Sequence, residues 1–379
     1  MVSKKITFVS RLQNIVYLSA AFLTLLIYSG DGFYNAENRM LFGLAVVFGF
    51  LASLYVHIFT HEAGHMVFGW LTGYKLVSFK AFGIMWVKEN GKIRLKKGVR
   101  VPGVGGQCLM SPPDKKNSKF PFVIYNLGGV IFNLIFGGAF LALYFLLWSH
   151  YYLSSVMLSL AVAGFYSAVS NGIPMTVGSV SNDGFNIIHL LKSRETVSAF
   201  WTQMKIMEYV TLGVRYSYIP EECFFIPSDN APKNTITAGI WILYYNRLID
   251  SGKTDEATEL IDRILSRDMG FSPLQRAVVI YDRIYLELVT GGNKWRVTEL
   301  LSSSELTILK RVKNDVSIIR TDYSLALLYE NNVNKAGLLL EQFNSVARHY
   351  PYKTDLEYEK HLIELAKMKN ESQKAESNL

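Results

Sequence analysis

The feature that most constrains this chain is the segment His61-Glu62-Ala63-Gly64-His65, which lies in an almost uninterrupted apolar run from Leu41 to Leu71. An apolar run of this length predicts a membrane-spanning helix, and ionisable side chains inside such a helix are usually retained for a function. Residues four apart lie on one face of a helix, so His61 and His65 point in the same direction. The run therefore predicts a functional site on a membrane helix.

The residue types of this segment indicate metal-dependent hydrolysis. Two imidazoles at this spacing can each offer a nitrogen to one zinc ion, and the glutamate between them can act as general base toward an activated water. We therefore predict His61 and His65 as zinc ligands and Glu62 as the catalytic residue. A chance HExxH sequence on a buried helix is the alternative, and the apolar setting weakens it.

Composition and charge agree with a membrane protein. Half of the 379 residues are hydrophobic, and the formal net charge is +8. Basic charge would also fit nucleic-acid binding, but it is concentrated between apolar segments, as expected of a cytoplasmic loop. We therefore predict contact with a lipid bilayer and no nucleic acid. Cys108 and Cys223 form no CxxC pair, which argues against a cysteine zinc site and a disulfide framework.

Further apolar segments predict additional spans, at about residues 12–28, 120–148 and 153–172. The first also resembles a signal peptide, but no small-residue cleavage site follows it, so we favour an uncleaved span. With Lys4, Lys5 and Arg11 inside, four spans return the chain to the cytoplasm. The prediction is a multi-pass protein of the plasma membrane whose N- and C-termini are cytoplasmic.

A catalytic zinc needs a third protein ligand. In the predicted topology Asp183 follows the fourth span, on the same side of the membrane as the two histidines, and His189 is the alternative. An ordinary Asp-Gly turn stays open for Asp183. His57 lies one helical turn before His61, and a straight helix cannot easily bend three stacked imidazoles onto one ion. We therefore expect His57 to pack near the site without binding zinc.

Three separated motifs resemble the site-2 protease family of intramembrane zinc metalloproteases. They are the HExxH segment, a glycine-led segment at 126–133 that ends in Asn133, and Asn171–Pro174 followed by Asp183-Gly184. The resemblance covers about residues 41–190. It implies zinc ligation by His61, His65 and Asp183, acid/base catalysis by Glu62, and substrate positioning by Asn133 and Asn171.

The chain departs from the family pattern in two places. Gly128-Gly129 stands where many members have Gly-Pro, and the interval between Pro174 and Asp183 is longer than in many members. The longer interval leaves His189 open as the third ligand. No segment resembles the PDZ domain that many bacterial members carry.

Two parts outside the apolar segments carry structural signals. Asn90-Gly91 lies between alternating residues and predicts a small β-hairpin, with an ordinary basic loop as the alternative. From about Asn234 the chain is charged and helix-periodic, with predicted turns at Gly252, Gly291-Gly292 and Asn331. Small or branched residues follow the turns in packing positions, namely Ala257, Val297 and Ala336. The period of about 40 residues weakly resembles tetratricopeptide-type repeats, which bind partners on a concave surface; a plain helical bundle is the alternative.

We therefore predict an α-helical polytopic membrane protein with a small β-hairpin in a cytoplasmic loop and a C-terminal all-α helical-repeat domain. The predicted segments are a transmembrane metalloprotease domain (1–217), a linker (218–233) and a cytoplasmic repeat domain (234–379). The repeats would bind a cytoplasmic regulator or a substrate tail.

The predicted function is that of an intramembrane zinc metalloprotease, which hydrolyses a peptide bond in or near a transmembrane segment of a membrane protein or membrane-associated peptide. Such a reaction would serve regulated intramembrane proteolysis. One alternative is a non-catalytic membrane-anchored scaffold with a protease-like fold, against which the intact Glu62 argues. The other is a transporter with a metal site, against which the lack of matching half-sequences argues.

Overall fold

The computed structural model of the protein describes residues 37–89, 92–98, 105–114, 120–177, 180–291 and 293–377. Within these ranges, three helices are long and apolar enough to cross a membrane: α1 (Arg39–Leu71), α2 (Phe122–Leu146) and α3 (Tyr151–Gly172). They correspond to the second, third and fourth predicted spans. The first predicted span, at about residues 12–28, lies outside the described residues.

Helix α1 carries the HExxH segment near its C-terminal end. The side chain of Asn38 begins the helix by accepting a hydrogen bond from the amide of Leu41. Gly73 has a φ of +87° just after the helix, and this turn brings the N–H of Tyr74 to the carbonyl of Gly69. The 33 residues extend about 50 Å, more than the roughly 30 Å of a bilayer's hydrocarbon core. His61 and His65 lie about two helical turns from the C-terminal end of α1.

The two faces of α1 are those of a helix in lipid. Large apolar side chains such as Phe48 and Leu51 are more than half exposed, whereas the buried face, apart from Phe42 and Val46, carries small and polar residues. That buried face consists of Phe42, Val46, Gly49, Ser53, His57, Thr60, Gly64, His65 and Gly69. Helix association in lipid depends on close packing and hydrogen bonds, because lipid tails are as apolar as leucine. Small residues inside and large ones outside fit that rule.

Glycines bring the three helices into backbone contact. A Cβ on Gly64 of α1 would lie 2.2 Å from the carbonyl oxygen of Gly128 in α2, and a Cβ on Gly49 would lie 2.9 Å from Ser159 of α3. A Cβ on Gly164 of α3 would lie 2.9 Å from Cα of Gly137 in α2. Gly64 and Gly128 therefore allow the backbones of α1 and α2 to touch.

The chain divides into two compact units, residues 1–82 with 103–192 and residues 83–102 with 193–379. The first unit contains the three helices, the antiparallel strands β1 (Lys75–Ala81) and β4 (Gly106–Ser111), and α4 (Asp183–Lys192). A two-residue pair, β5 (Thr176–Val177) and β6 (Val180–Ser181), precedes α4. The β1–β4 pair was not predicted, because about 24 residues rich in Gly and Lys separate its strands.

The second unit begins with the predicted hairpin. Strands β2 (Ile84–Glu89) and β3 (Lys92–Lys97) pair antiparallel in register, while the turn residues 90–91 lie outside the described residues. Met85 and Val87 are buried, and Ile93 and Leu95 are exposed. The hairpin prediction is therefore confirmed for the strands.

The rest of the second unit is helical. Its α-helices are α5 (Arg194–Thr211), α6 (Thr235–Asp250), α7 (Thr254–Leu265), α8 (Pro273–Val289), α9 (Lys294–Leu301), α10 (Val316–Ser324), α11 (Val333–Ala347) and α12 (Lys353–Ser377). Three short 3-10 segments (Tyr216–Tyr218, Glu221–Cys223 and Ser304–Arg311) and a π-helical segment (Leu325–Tyr329) complete it.

Three helical hairpins of this unit match the predicted turns. Gly252, Gly291 and Asn331 have positive φ values between helices, where a reversal requires the left-handed conformation. The following packing positions Ala257, Val297 and Ala336 are all buried. The likeness of these hairpins to tetratricopeptide repeats stays a prediction, as do the boundaries at residues 217 and 233.

A candidate metal centre at the end of the helices

Three side chains of the first unit bring one donor atom each to a single point. Nε2 of His61 lies 3.2 Å from Nε2 of His65, and Oδ2 of Asp183 lies 3.0 Å and 3.4 Å from these two nitrogens. Donor atoms about 2.0–2.1 Å from a tetrahedral zinc are roughly 3.3 Å apart. The triangle therefore has the size of one face of a tetrahedral zinc site.

The state of Asp183 fits a metal ligand. Its Oδ2 is buried and makes no well-formed hydrogen bond, although two imidazole nitrogens lie within 3.4 Å. Burial by itself would raise the pKa of Asp183, but the neighbouring His65 and His61 outweigh burial and hold that pKa well below its usual range. An ionised carboxylate is the form that binds a cation.

His65 is oriented by the backbone of α2. Its Nδ1 lies 2.8 Å from the carbonyl oxygen of Tyr125, which can only accept, so Nδ1 carries the proton. The lone pair of Nε2 then faces His61 and Asp183. Tyr125 is itself held, since its hydroxyl donates to the carbonyl of Cys108 at 2.8 Å and its ring stacks on Tyr74. A second partner of this kind fixes the ring and tautomer of a metal-binding histidine.

His61 occupies space that α2 leaves open. A Cβ on Gly129 would lie 2.4–2.6 Å from three atoms of the His61 ring, so only glycine permits this ring position. Nδ1 of the same ring lies 3.1 Å from the side-chain amide of Asn133, which is fully buried. The Gly128-Gly129 pair thus has a local role in addition to helix packing.

Glu62 lies beside the donor atoms without belonging to the cluster of His61, His65 and Asp183. Its carboxylate interacts electrostatically with all three and accepts a hydrogen bond from the backbone of Cys108 in β4. A Cβ on Gly106, also in β4, would lie 2.6 Å from Cγ of Glu62. The first residue of β4 therefore has to be small, because Gly106 leaves room for the side chain of Glu62.

Asp183 is placed by Asn182, a residue that the sequence analysis missed. The side-chain amide of Asn182 donates to the carbonyls of Ser170 (2.7 Å) and Ile173 (2.6 Å) at the end of α3. Its oxygen accepts from the amides of Met175 (3.0 Å) and Phe185 (2.9 Å). One side chain thus closes the end of α3 and begins α4. An asparagine directly before a helical segment is a capping signal that could have identified it.

The Asp-Gly dipeptide has a steric reason. A Cβ on Gly184 would lie 2.2 Å from the carbonyl oxygen of Gly172 and 3.0 Å from the nitrogen of Pro174. The start of α4 therefore touches the end of α3, which draws Asp183 to the histidines. The long interval between Pro174 and Asp183 does not prevent this contact, because the strands β5 and β6 within the interval pair with each other.

The other candidate residues lie in different surroundings. His189 stacks on Phe185 with ring centroids 4.0 Å apart and is not part of the cluster in the described chain. The structure thus brings Asp183, and not His189, to the two histidines. Asn171 donates to the carbonyl of Ser167 in its own helix at 2.9 Å, and Asn133 contacts His61. The substrate-positioning roles of both asparagines stay predictions.

A comparison with known protein families identifies the family of the chain. The model of Peptidase family M50 matches residues 49–353, about four fifths of the chain. The chain belongs to Peptidase family M50. This is the site-2 protease family, so the resemblance drawn from the motifs is confirmed. The M50 match and the three apolar helices together indicate a membrane protein of a metalloprotease family. No curated protein and no solved structure matched the chain.

The hydrogen bonds of Asn182 predict a metal-binding defect when this residue is replaced. Replacing Asn182 by Ala removes all four of its hydrogen bonds and frees Asp183 from its position, so the zinc dissociation constant of the purified protein should rise about 10–100-fold. Chelator competition measures this constant. The control is Asn186→Ala within α4, which should leave the zinc affinity unchanged. Equal zinc affinity in the two variants would contradict the role of Asn182.

Proposed function

We propose that this M50 member is a zinc-dependent intramembrane endopeptidase. The observation that carries the proposal is the triangle of donor atoms from His61, His65 and Asp183, with the Glu62 carboxylate beside it. Two neutral imidazoles and a carboxylate form a donor set that suits zinc and leaves a fourth position for water or substrate. The same residues match the ligands and the base expected from the family motifs.

The chemistry divides between a bound zinc ion and the chain. Zinc held by these three side chains supplies Lewis acidity, which lowers the pKa of a water and polarises the scissile carbonyl. Glu62 takes the proton of the attacking water and returns it to the leaving amine. The hydrogen bond from the backbone of Cys108 and the contact with Gly106 hold the carboxylate in one orientation for both transfers.

The proposed substrate is a membrane-spanning or membrane-associated peptide. Support comes from the position of the site near one end of apolar helices, with large exposed apolar side chains on their outer faces. A substrate helix has to unwind locally before a carbonyl can approach the site. Asn171 is our candidate for contacting the unwound segment, whereas complete burial of Asn133 against His61 favours a role through the ligand.

The competing proposal is a membrane-anchored scaffold that keeps a protease-like fold without turnover. A scaffold has no use for a carboxylate held beside a metal-binding triangle. It also has no use for the two glycines that leave room for the ring of His61 and the side chain of Glu62, which are Gly129 and Gly106. Both features are arranged around proton transfer and metal binding. We therefore favour the enzyme.

The orientation and the C-terminal helices complete the proposal. The distribution of Lys and Arg supports a plasma-membrane protein with cytoplasmic termini and with the α2–α3 connection outside. The helical hairpins of the second unit expose apolar residues such as Trp295 and Leu338. We propose that these hairpins form a tetratricopeptide-like domain that binds a cytoplasmic regulator or the cytoplasmic tail of the substrate.

The catalytic proposal predicts that Glu62→Gln retains zinc and loses turnover. Glutamine preserves the shape of the side chain but cannot accept a proton, and loss of a general base reduces rates about 10²–10⁴-fold. Comparing the membrane proteomes of cells that carry either form should reveal full-length membrane proteins that accumulate with the variant. Zinc content measured on the same variant is the control. Identical proteomes with equal zinc content would favour the scaffold.

Cysteine labelling tests the orientation and the cytoplasmic partner together. Both native cysteines, Cys108 and Cys223, are buried, so introduced cysteines can be read against a low background. Ser149→Cys, in the α2–α3 connection, should react with an impermeant reagent added to intact cells. Leu338→Cys, on an exposed position of α11, should react only after the membrane is opened. The reverse pattern would contradict both the orientation and a cytoplasmic partner.

A further inference from the structure

His57 is a buried histidine that the proposed reaction does not use. It lies one turn before His61 on α1 and is almost fully buried. Its Nε2 lies 2.7 Å from the carbonyl oxygen of Leu160 in α3, so Nε2 carries a proton and donates it. A neutral ring then has a lone pair on Nδ1, and this atom is buried without a hydrogen-bond partner.

A polar residue, Asn133, lies close to this ring. The Thr60 hydroxyl reaches both the carbonyl of His57 and Oδ1 of Asn133, and a Cβ on Gly164 would lie 2.7 Å from Cε1 of His57 and 3.1 Å from the backbone oxygen of Asn133. Asn133 is fully buried and makes two side-chain contacts, from its Nδ2 to Nδ1 of His61 at 3.1 Å and from the Thr60 hydroxyl to its Oδ1 at 3.2 Å. One amide thus lies between the buried histidine and the metal-site histidine.

The orientation of this amide decides which nitrogen of His61 can bind a metal. When Nδ2 of Asn133 faces His61, Nδ1 of the imidazole has to accept the hydrogen bond. The proton of the neutral ring is then on Nε2, among the atoms that would bind the metal. That tautomer cannot bind zinc through Nε2. The same orientation turns the amide oxygen away from His61 and provides no proton for the lone pair of His57.

Rotating the amide by 180° matches its donors and acceptors to those of its neighbours. An asparagine amide has nearly the same shape in both orientations, and only its hydrogen-bond partners distinguish them. After rotation Oδ1 accepts the Nδ1–H of His61, one proton of Nδ2 serves the Thr60 oxygen, and the second is left for the side of His57, whose Nδ1 has no other partner. Thr60 keeps its own proton for the carbonyl of His57 in the preceding turn.

We propose that His57 is a positioning residue which, through Asn133, holds His61 in the tautomer that binds zinc. The chain runs from the Leu160 carbonyl to His57, and from there to His61 through the Asn133 amide, which Thr60 ties to the backbone of His57. A Cβ on Gly164 would lie 2.7 Å from Cε1 of His57, so the small residue of α3 admits the ring that starts the chain. The inference rests on the zinc site of the proposed function, and it assigns Asn133 to the ligand and not to the substrate.

Two substitutions at residue 57 separate this role from simple packing. The oxygen of an asparagine can replace Nδ1 of histidine as an acceptor, whereas glutamine reaches the position of Nε2 and leaves no acceptor near Nδ1. We therefore expect His57→Asn to bind zinc nearly as tightly as the wild type, and His57→Gln to bind about 10–100-fold more weakly. Packing alone predicts the opposite order, because glutamine fills the volume of histidine better.

A substitution at residue 133 provides the second arm. Aspartate accepts the Nδ1–H of His61 in either orientation, so in the Asn133→Asp background residue 57 is no longer needed to orient residue 133. The double variant His57→Gln with Asn133→Asp should therefore bind zinc like Asn133→Asp alone. Zinc dissociation constants of the purified full-length proteins come from chelator competition, and melting temperatures report whether each variant folds.

The outcomes separate this inference from the proposed function. If His57→Asn binds zinc more weakly than His57→Gln, the positioning role is wrong. It is also wrong if His57→Gln weakens zinc binding as much in the Asn133→Asp background as in the wild type. Either result leaves the zinc site intact. A wild-type protein that binds no zinc would overturn the proposed function and this inference together. Should His57→Asn fail to fold, the comparison in the Asn133→Asp background still decides.

Discussion

The contact between the backbones of α1 and α2 at Gly64 and Gly128 is the constraint on which the candidate site depends. The carbonyl oxygens at this crossing occupy the space of the missing Cβ atoms, so neither position tolerates a side chain without moving a helix. The close crossing places the ring of His61 over Gly129 and the ring of His65 against the Tyr125 carbonyl. Because lipid gives helices little hydrophobic reason to associate, such packing must supply much of the specificity.

The third ligand depends on a second close contact, between the end of α3 and the start of α4. Gly184 touches the carbonyl of Gly172, and Asn182 bonds four backbone groups around the junction. Unsatisfied backbone groups are costly at membrane depth, so the junction between α3 and α4 needs a side chain that pairs with them. Asn182 provides these bonds and also places Asp183 opposite the histidines.

The positions of the helices and of the two histidines could be predicted because they depend on local patterns. Apolar length located α1, α2 and α3, and the four-residue spacing put His61 and His65 on one face. Asn90-Gly91 located the β2–β3 hairpin, and Gly252 and Asn331 located turns between helices. Each of these depends on hydrophobicity or backbone conformation within a short segment, which a single sequence displays.

What the sequence left open depends on contacts between distant segments. The choice between Asp183 and His189 required the fold, since both lie in one short helix and the sequence does not show which of them reaches the histidines. The β1–β4 pair, which supplies the Cys108 backbone to Glu62, joins strands separated by a long loop. The surroundings of Asn133 were also hidden, because its partners His61 and Thr60 lie more than 70 residues away.

The most direct test of the account is the zinc X-ray absorption spectrum of the purified wild-type protein. We expect about one zinc per chain, coordinated by two imidazoles and otherwise by oxygen, with no sulfur, because the two cysteines are not part of the His61–His65–Asp183 cluster. A third imidazole would indicate His189 or His57 in place of Asp183. Sulfur ligation, or a folded protein that takes up no zinc, would contradict the site itself.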